Sequence, residues 1–290
     1  MIENIGIVGA GQMGVGIAHV CLLAGYKVFL SDVSQPLVQQ GRETIDRQME
    51  RQIARKKLHD KEKEEALARL KTFVGLEGFE KCDLVIEAVI ENEEIKKDVF
   101  MKLCPLLSKH CLLATNTSSL SITALAHSTD RPDKFMGMHF MHPVPVMQLV
   151  ELIRGITTSN GTFSAIRDVT KRLGKQSIVS EDYPGFITNR ILMPMINEAI
   201  YALFEGVGTI EAIDKGMHLG ANHPMGPLEL ADLIGLDTCA FIMNVLYEER
   251  GESKYKPCPL LTKYVEAGWL GRKAKRGFYD YTGDQPVPTR

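Results

Sequence analysis

The chain carries little excess charge of either sign: 34 Lys and Arg against 36 Asp and Glu give a net charge of −2 over 290 residues. That balance, with 24% charged residues, offers neither the basic footprint of a nucleic-acid binder nor the composition of a disordered chain. No apolar run reaches membrane-spanning length, and the first strand pattern starts so close to Met1 that no secretory signal is expected before it. The six cysteines (21, 82, 104, 111, 239 and 258) form no C-x-x-C and have no histidine at ligand spacing. Reduced packing thiols and no metal site follow. Low-complexity segments and internal repeats are also missing. A cytoplasmic globular protein of two domains, with no membrane or nucleic-acid partner, is the resulting expectation.

What is present begins at residue 5. An apolar run (Ile5–Val8) leads into Gly9-Ala10-Gly11-Gln12-Met13-Gly14, then a helical pattern, then Lys27–Asp32 ending in an acid. This is the order of a βαβ dinucleotide site. Gly9 permits the tight turn, Gly11 lets the backbone approach a pyrophosphate, and Gly14 lets helix and strand pack closely. The helix N-terminus attracts the phosphate charge. Asp32 is placed to bond both hydroxyls of an adenosine ribose and to repel a 2′-phosphate, so NAD is favoured over NADP.

Further strand candidates are 84–88, 111–114, 135–138, 149–153 and 176–179, with helical patterns between several of them, most clearly 93–107 and 162–173. Nearly continuous apolar strands alternating with amphipathic helices predict a doubly wound, mostly parallel Rossmann-type sheet. Beyond Tyr183-Pro184-Gly185 the patterns are helical: 187–205, 210–219, 228–233, 238–250 and 260–267. The expected domains are therefore 1–182, the Rossmann unit, and 183–290, a smaller all-α unit for substrate binding and dimerisation. Residues 42–71 form a densely charged insert that reads as a helical hairpin turning near His59-Asp60. Taken alone it is a solvated helix face; Arg51, Arg55, Lys56 and Lys57 also make it a candidate dock for a polyanionic carrier.

Two polar segments fall near the sheet's C-terminal edge, where doubly wound folds bind ligands. In the first, His139 closes one strand and Glu151 lies on the next. An imidazole oriented by a carboxylate suits removal of an alcohol proton, although a satisfied core pair gives the same pattern. In the second, Thr115-Asn116-Thr117-Ser118-Ser119-Leu120 follows an apolar strand, and Ser121 suits an N-cap for the next helix.

In order and spacing, NTSSLSIT (116–123), GMHF (137–140) before Pro143, LVEL (149–152), YPGF (183–186) before Asn189-Arg190, NHPMGPLELAD (222–232) and GRKAKRGFYDY (271–281) resemble the 3-hydroxyacyl-CoA dehydrogenases. The likeness extends over nearly the whole chain and is strongest to the short bacterial 3-hydroxybutyryl-CoA members. It implies an NAD-dependent homodimer acting on an acyl-CoA. His139 would be the general base and Glu151 its partner, with Ser118 and Asn189 holding the substrate's 3-oxygen. The NAD site would comprise Gly9, Gly11, Gln12, Met13, Gly14, Asp32, Glu91, Lys96, Ser118, His142 and Lys273. The charged hairpin, with Arg51 and Lys57, would contact CoA.

One position departs from the pattern: where the family usually reads HFFNP, this chain reads His139-Phe140-Met141-His142-Pro143, and His142 is expected to face the nicotinamide side of the cofactor. Two other functions remain open on the same scaffold. One is a free hydroxy-acid or sugar-acid (gulonate-type) dehydrogenase. The other is a non-catalytic, crystallin-like NAD-binding protein, which would need none of Ser118, His139, Glu151 and Asn189.

Overall fold

The structure, a computed structural model, describes residues 2–290 and divides into two compact units between Tyr183 and Pro184. In the first unit, β1 (Asn4–Val8), α1 (Gln12–Leu23) and β2 (Lys27–Asp32) form the opening βαβ segment. A helical hairpin follows, α2 (Gln35–Ala54) and α3 (Asp60–Ala68), then β3 (Leu70–Val74), β4 (Leu84–Glu87), α4 (Glu93–Leu103), β5 (Leu112–Thr115) and α5 (Ile122–His127). The unit closes with β6 (Phe135–Phe140), β7 (Leu149–Arg154), α6 (Asn160–Arg172) and β8 (Gln176–Glu181). The eight strands make one sheet in the order β3-β2-β1-β4-β5-β6-β7-β8. Every neighbouring pair is parallel except β6–β7, which is antiparallel. Burial of β1, β4 and β6 explains their largely apolar sequences, and the core of this unit gathers Ile5, Ile7, Leu30, Ile86, Met138 and Leu152.

Two features differ from the pattern expected in this unit. Strand β3 pairs only with β2 at the sheet edge and is half exposed, so Lys71 and Thr72 interrupt the apolar run that marks the inner strands. It opens at Leu70, inside the stretch read as helical insert. At the other end, α2 starts at Gln35, well before the charged residues begin: Ser34 is extended at the N-cap and Pro36 lies in the first turn. Its first turns are uncharged, so charge density alone marks the helix too late.

The second unit holds α7 (Thr188–Phe204), α8 (Ile210–Lys215), α9 (Pro227–Ile234), α10 (Leu236–Arg250) and α11 (Pro259–Glu266) around Met193, Ile196, Ile200, Leu228, Leu246 and Phe278. It is not purely helical, because Tyr279–Asp280 pairs with Val287–Pro288 in a short antiparallel ribbon. The helix expected over 210–219 is α only to Lys215; a single wide π turn carries Gly216–Gly220, where two glycines weaken the α form. Asp214 spans the break that follows, accepting from the backbone N–H groups of Leu228 (2.8 Å) and Glu229 (3.0 Å) at the start of α9. Among the described residues no single helix is long and apolar enough to cross a membrane.

Candidate active site

The glycine-rich turn is shaped by close backbone contacts. Gly9 has φ +106° and donates its N–H to the Ser31 carbonyl at 2.8 Å, and a Cβ on it would lie 2.6 Å from the Ala88 carbonyl oxygen. A Cβ on Gly14 would collide with the carbonyl of Gly9, whereas one on Gly11 would point into open space. Gly11 caps α1 without a side-chain bond, and no acid sits in the first turn. The positive end of the helix is thus left for a phosphate. Asp32 is already oriented: its two oxygens accept from the N–H groups of Ala10 and Val33, each at 2.7 Å. Each oxygen keeps acceptor capacity for a ribose hydroxyl. These residues fit a dinucleotide. Met13, behind the turn, packs against the core.

His142 lies beside this turn. Its Nε2 is 2.7 Å from the amide nitrogen of Gln12, the first residue of α1. Burial holds the imidazole below its ordinary pKa, so the ring is neutral at pH 7 and accepts the amide proton. His142 and Gln12 border a cavity of about 400 Å³ between α1 and α2, whose α2 wall includes Gln40, Thr44 and Gln48. Arg51 and Arg55 continue that row at helical spacing, and Arg51 and Lys57 are both exposed.

At the C-terminal ends of β5 and β6 the polar residues converge. His139 pairs directly with Glu151 across the antiparallel strands, with Nδ1 2.7 Å from Glu151 Oε2. Glu151 is fully buried and His139 is 5% exposed. With Glu151 at Nδ1, the other ring nitrogen, Nε2, lies 3.2 Å from Ser118 Oγ. Asn116, to which the sequence alone assigned no role, accepts the Phe140 N–H at 2.9 Å and so ties the serine-bearing loop to the strand carrying His139. Asn189 belongs to the second unit, buried in the first turn of α7.

Lys96 lies behind Glu91 at the start of α4. It is fully buried, with Nζ 2.7 Å from Glu87 Oε1 and 3.5 Å from Glu91 Oε2. Glu87 ends an otherwise apolar strand, the same signal that marks Asp32. Glu91 accepts from the Ser118 N–H at 2.8 Å. Lys273, in the second unit, is paired with Asp237 at 2.6 Å. The segment around Lys273 is anchored by Asp232, which accepts from Phe278 N, Tyr279 N and Tyr281 Oη at 2.9–3.0 Å. Much of the terminal motif therefore serves this anchor: a Cβ on Gly271 or Gly277 would collide with Asp232.

A dinucleotide turn and a carboxylate-oriented imidazole on one sheet edge define a nicotinamide-dependent dehydrogenase of alcohols. Residues 4–183 match the NAD-binding domain of 3-hydroxyacyl-CoA dehydrogenase, and residues 185–281 match its C-terminal domain. The chain belongs to the 3-hydroxyacyl-CoA dehydrogenase family, and its cofactor is NAD. It is 58% identical over 290 residues to a 3-hydroxybutyryl-CoA dehydrogenase of Bradyrhizobium diazoefficiens, covering 100% of this chain and 99% of the relative. Human mitochondrial hydroxyacyl-coenzyme A dehydrogenase is 39% identical, with 97% and 92% covered. Among solved structures, (S)-3-hydroxybutyryl-CoA dehydrogenase of Ralstonia eutropha superposes with a TM-score of 0.94 at 48% identity, covering 98% of this chain and 100% of that one.

Proposed function

We propose that this enzyme interconverts (S)-3-hydroxybutyryl-CoA and acetoacetyl-CoA. The carrying observation is the Ser118–His139–Glu151 chain, in which Glu151 holds His139 Nδ1 and the Ser118 hydroxyl lies beside Nε2. In oxidation, Nε2 takes the proton of the substrate's 3-hydroxyl and Glu151 stabilises the imidazolium that forms; in reduction, the same nitrogen returns the proton. Bound NAD supplies the hydride acceptor, and NADH the donor. Ser118, together with Asn189 of the helical unit, is assigned to the 3-oxygen, as the match to the family's pattern indicates. Gly9, Gly11, Gly14 and Asp32 hold pyrophosphate and ribose. Arg51 and Lys57 answer the phosphates of CoA, an assignment supported by the row of α2 residues that runs from the cavity to Arg51 and Arg55.

The same reading includes a cytoplasmic homodimer formed through the helical unit, on which Ile191, Phe204, Val207 and Leu233 are 50% or more exposed. Steady-state NADH oxidation with acetoacetyl-CoA and with free acetoacetate tests the substrate class. A kcat/KM at least a hundredfold higher for the thioester is expected, on the order of 3 kcal/mol of carrier binding. Comparable values would favour a free-acid dehydrogenase, and turnover of neither would favour a binding protein.

A further inference from the structure

The turn between β6 and β7 is fastened by a buried lysine. Lys175, the residue before β8, is 8% exposed, and its Nζ donates to the carbonyls of Val144 and Met147, each at 2.7 Å. Within the turn, the Pro143 carbonyl accepts from the N–H groups of Val146 (2.9 Å) and Met147 (3.0 Å). The backbone places Lys175 firmly: its own N–H reaches the Thr170 carbonyl at 3.2 Å, and the next residue, Gln176, donates to the Gln148 carbonyl at 2.8 Å. On its other side the turn rests on α1, where a Cβ on Gly16 would lie 2.8 Å from Val144 Cβ. Gly16 stands one helical turn beyond Gln12, whose amide nitrogen meets His142 Nε2 at 2.7 Å. Both side-chain bonds of Lys175 end on neutral carbonyls, and taking a cation out of water on those terms is costly. An apolar side chain would avoid that cost, but the turn would lose its tie to β8.

We propose that Lys175 is a positioning residue of the cofactor site: by fixing the 143–147 turn, its ammonium holds the His142 imidazole on Gln12 at the glycine-rich turn. The inference rests on the placing of the dinucleotide at Gly9–Gly14 with His142 beside it. His142 directly precedes Pro143, so the backbone that aims its ring is continuous with the backbone that the ammonium fixes. Lys175 bonds to neither Gln12 nor His142 and acts through the turn. With the ammonium removed, the bonds to the Pro143 carbonyl remain, but the segment is free to shift against α1 and the imidazole loses its fixed distance from Gln12.

A double-mutant cycle with Lys175→Met and His142→Ala tests this, read as NADH Kd by fluorescence titration, with kcat measured separately at saturating NADH and acetoacetyl-CoA. Lys175→Met keeps a long unbranched side chain and removes every donor. It should raise the NADH Kd about 3–10-fold, the range of one hydrogen bond, and change kcat less than about threefold, because His139 and Glu151 stay paired in their ladder. His142→Ala should weaken NADH to a similar degree. In the His142→Ala background, Lys175→Met should change the Kd less than about twofold. Lys175→Gln, whose amide can still donate to one carbonyl, should raise the Kd in the same direction but less, and covers the case in which the methionine variant is unstable. Additive effects on the Kd would overturn the proposal. So would a kcat about tenfold lower with the Kd intact, the signature of a lysine that merely supports the catalytic strands. If His142→Ala itself leaves the Kd unchanged, the placing of His142 beside the cofactor fails and carries the proposal with it. A weaker Kd in His142→Ala with none in Lys175→Met sinks only the proposal.

Discussion

His139 and Glu151 are direct partners in the antiparallel β6–β7 ladder, twelve residues apart in sequence, and their side chains meet at 2.7 Å. Opposite residues of neighbouring strands project from the same face of the sheet, so register holds this pair together. A slip of β7 by one residue would turn Glu151 to the other face and leave His139 without its carboxylate. The antiparallel pairing is thus a functional feature of a sheet that is otherwise parallel between neighbours.

Cofactor choice follows from Asp32. Its carboxylate is fixed by two backbone N–H groups at the end of β2, where a 2′-phosphate would meet a negative charge. NAD(H) should be preferred over NADP(H) by about tenfold or more in kcat/KM, the equivalent of ~1.4 kcal/mol. Equal values for the two cofactors would contradict this.

The carrier contact should be electrostatic and separable from cofactor binding. Replacing Arg51, Arg55, Lys56 and Lys57 together with neutral residues should raise KM for acetoacetyl-CoA about fivefold or more, since exposed ion pairs contribute up to roughly 1 kcal/mol each. KM for NADH and the melting temperature should stay level. An unchanged thioester KM would return the hairpin to a solvated surface.

His142 should influence NADH binding only in acid. Its pKa is lowered by burial, so the ring stays neutral through pH 7 and accepts from Gln12; protonation removes that acceptor. KM for NADH in the wild type should be level from pH 8 to about 6.5, the ordinary histidine value, and rise below it. In His142→Asn it should be level throughout, with kcat within about threefold of wild type, the scale of one hydrogen bond. Loss of turnover in His142→Asn would instead place His142 in the chemistry.

Asp232 should give the fold a pH dependence of its own. Burial pushes its carboxyl up to about 6, against the hydrogen bonds it accepts from Phe278, Tyr279 and Tyr281. The folded chain therefore holds the proton more tightly than the unfolded one. The stability this adds is complete below the ordinary carboxyl value of 3.8 and is lost as pH rises through about 6. Between pH 5 and 7.5 the wild-type melting temperature should fall about 2 °C further than that of Asp232→Asn. Parallel curves would contradict it.

The sequence displays what depends on neighbours in the chain. Gly9, Gly14 and Asp32 are legible because a tight turn, a helix packed on a strand and an acid at a strand end each leave a local trace. Strand β3 leaves none, since an edge strand with one partner can be half exposed and carry Lys71. The resemblance assigns Glu91 to the NAD site, while its bonds to Thr117, Ser118 and Ser119 join loops 26–28 residues apart and leave no local trace. Asp232 and the terminal ribbon are 46 residues apart, and Gln12 and His142 are 130 apart. Folding alone brings such pairs together, so the anchor and the His142 contact had no sequence signature.

The most direct test is turnover by His139→Gln at saturating NADH and acetoacetyl-CoA, beside NADH binding followed by fluorescence. If Nε2 of His139 moves the substrate proton, kcat should fall by about 10²–10⁴-fold, the usual contribution of a general base, while NADH binds as it does to the wild type. Turnover within about threefold of wild type would remove His139 from the mechanism and contradict the account.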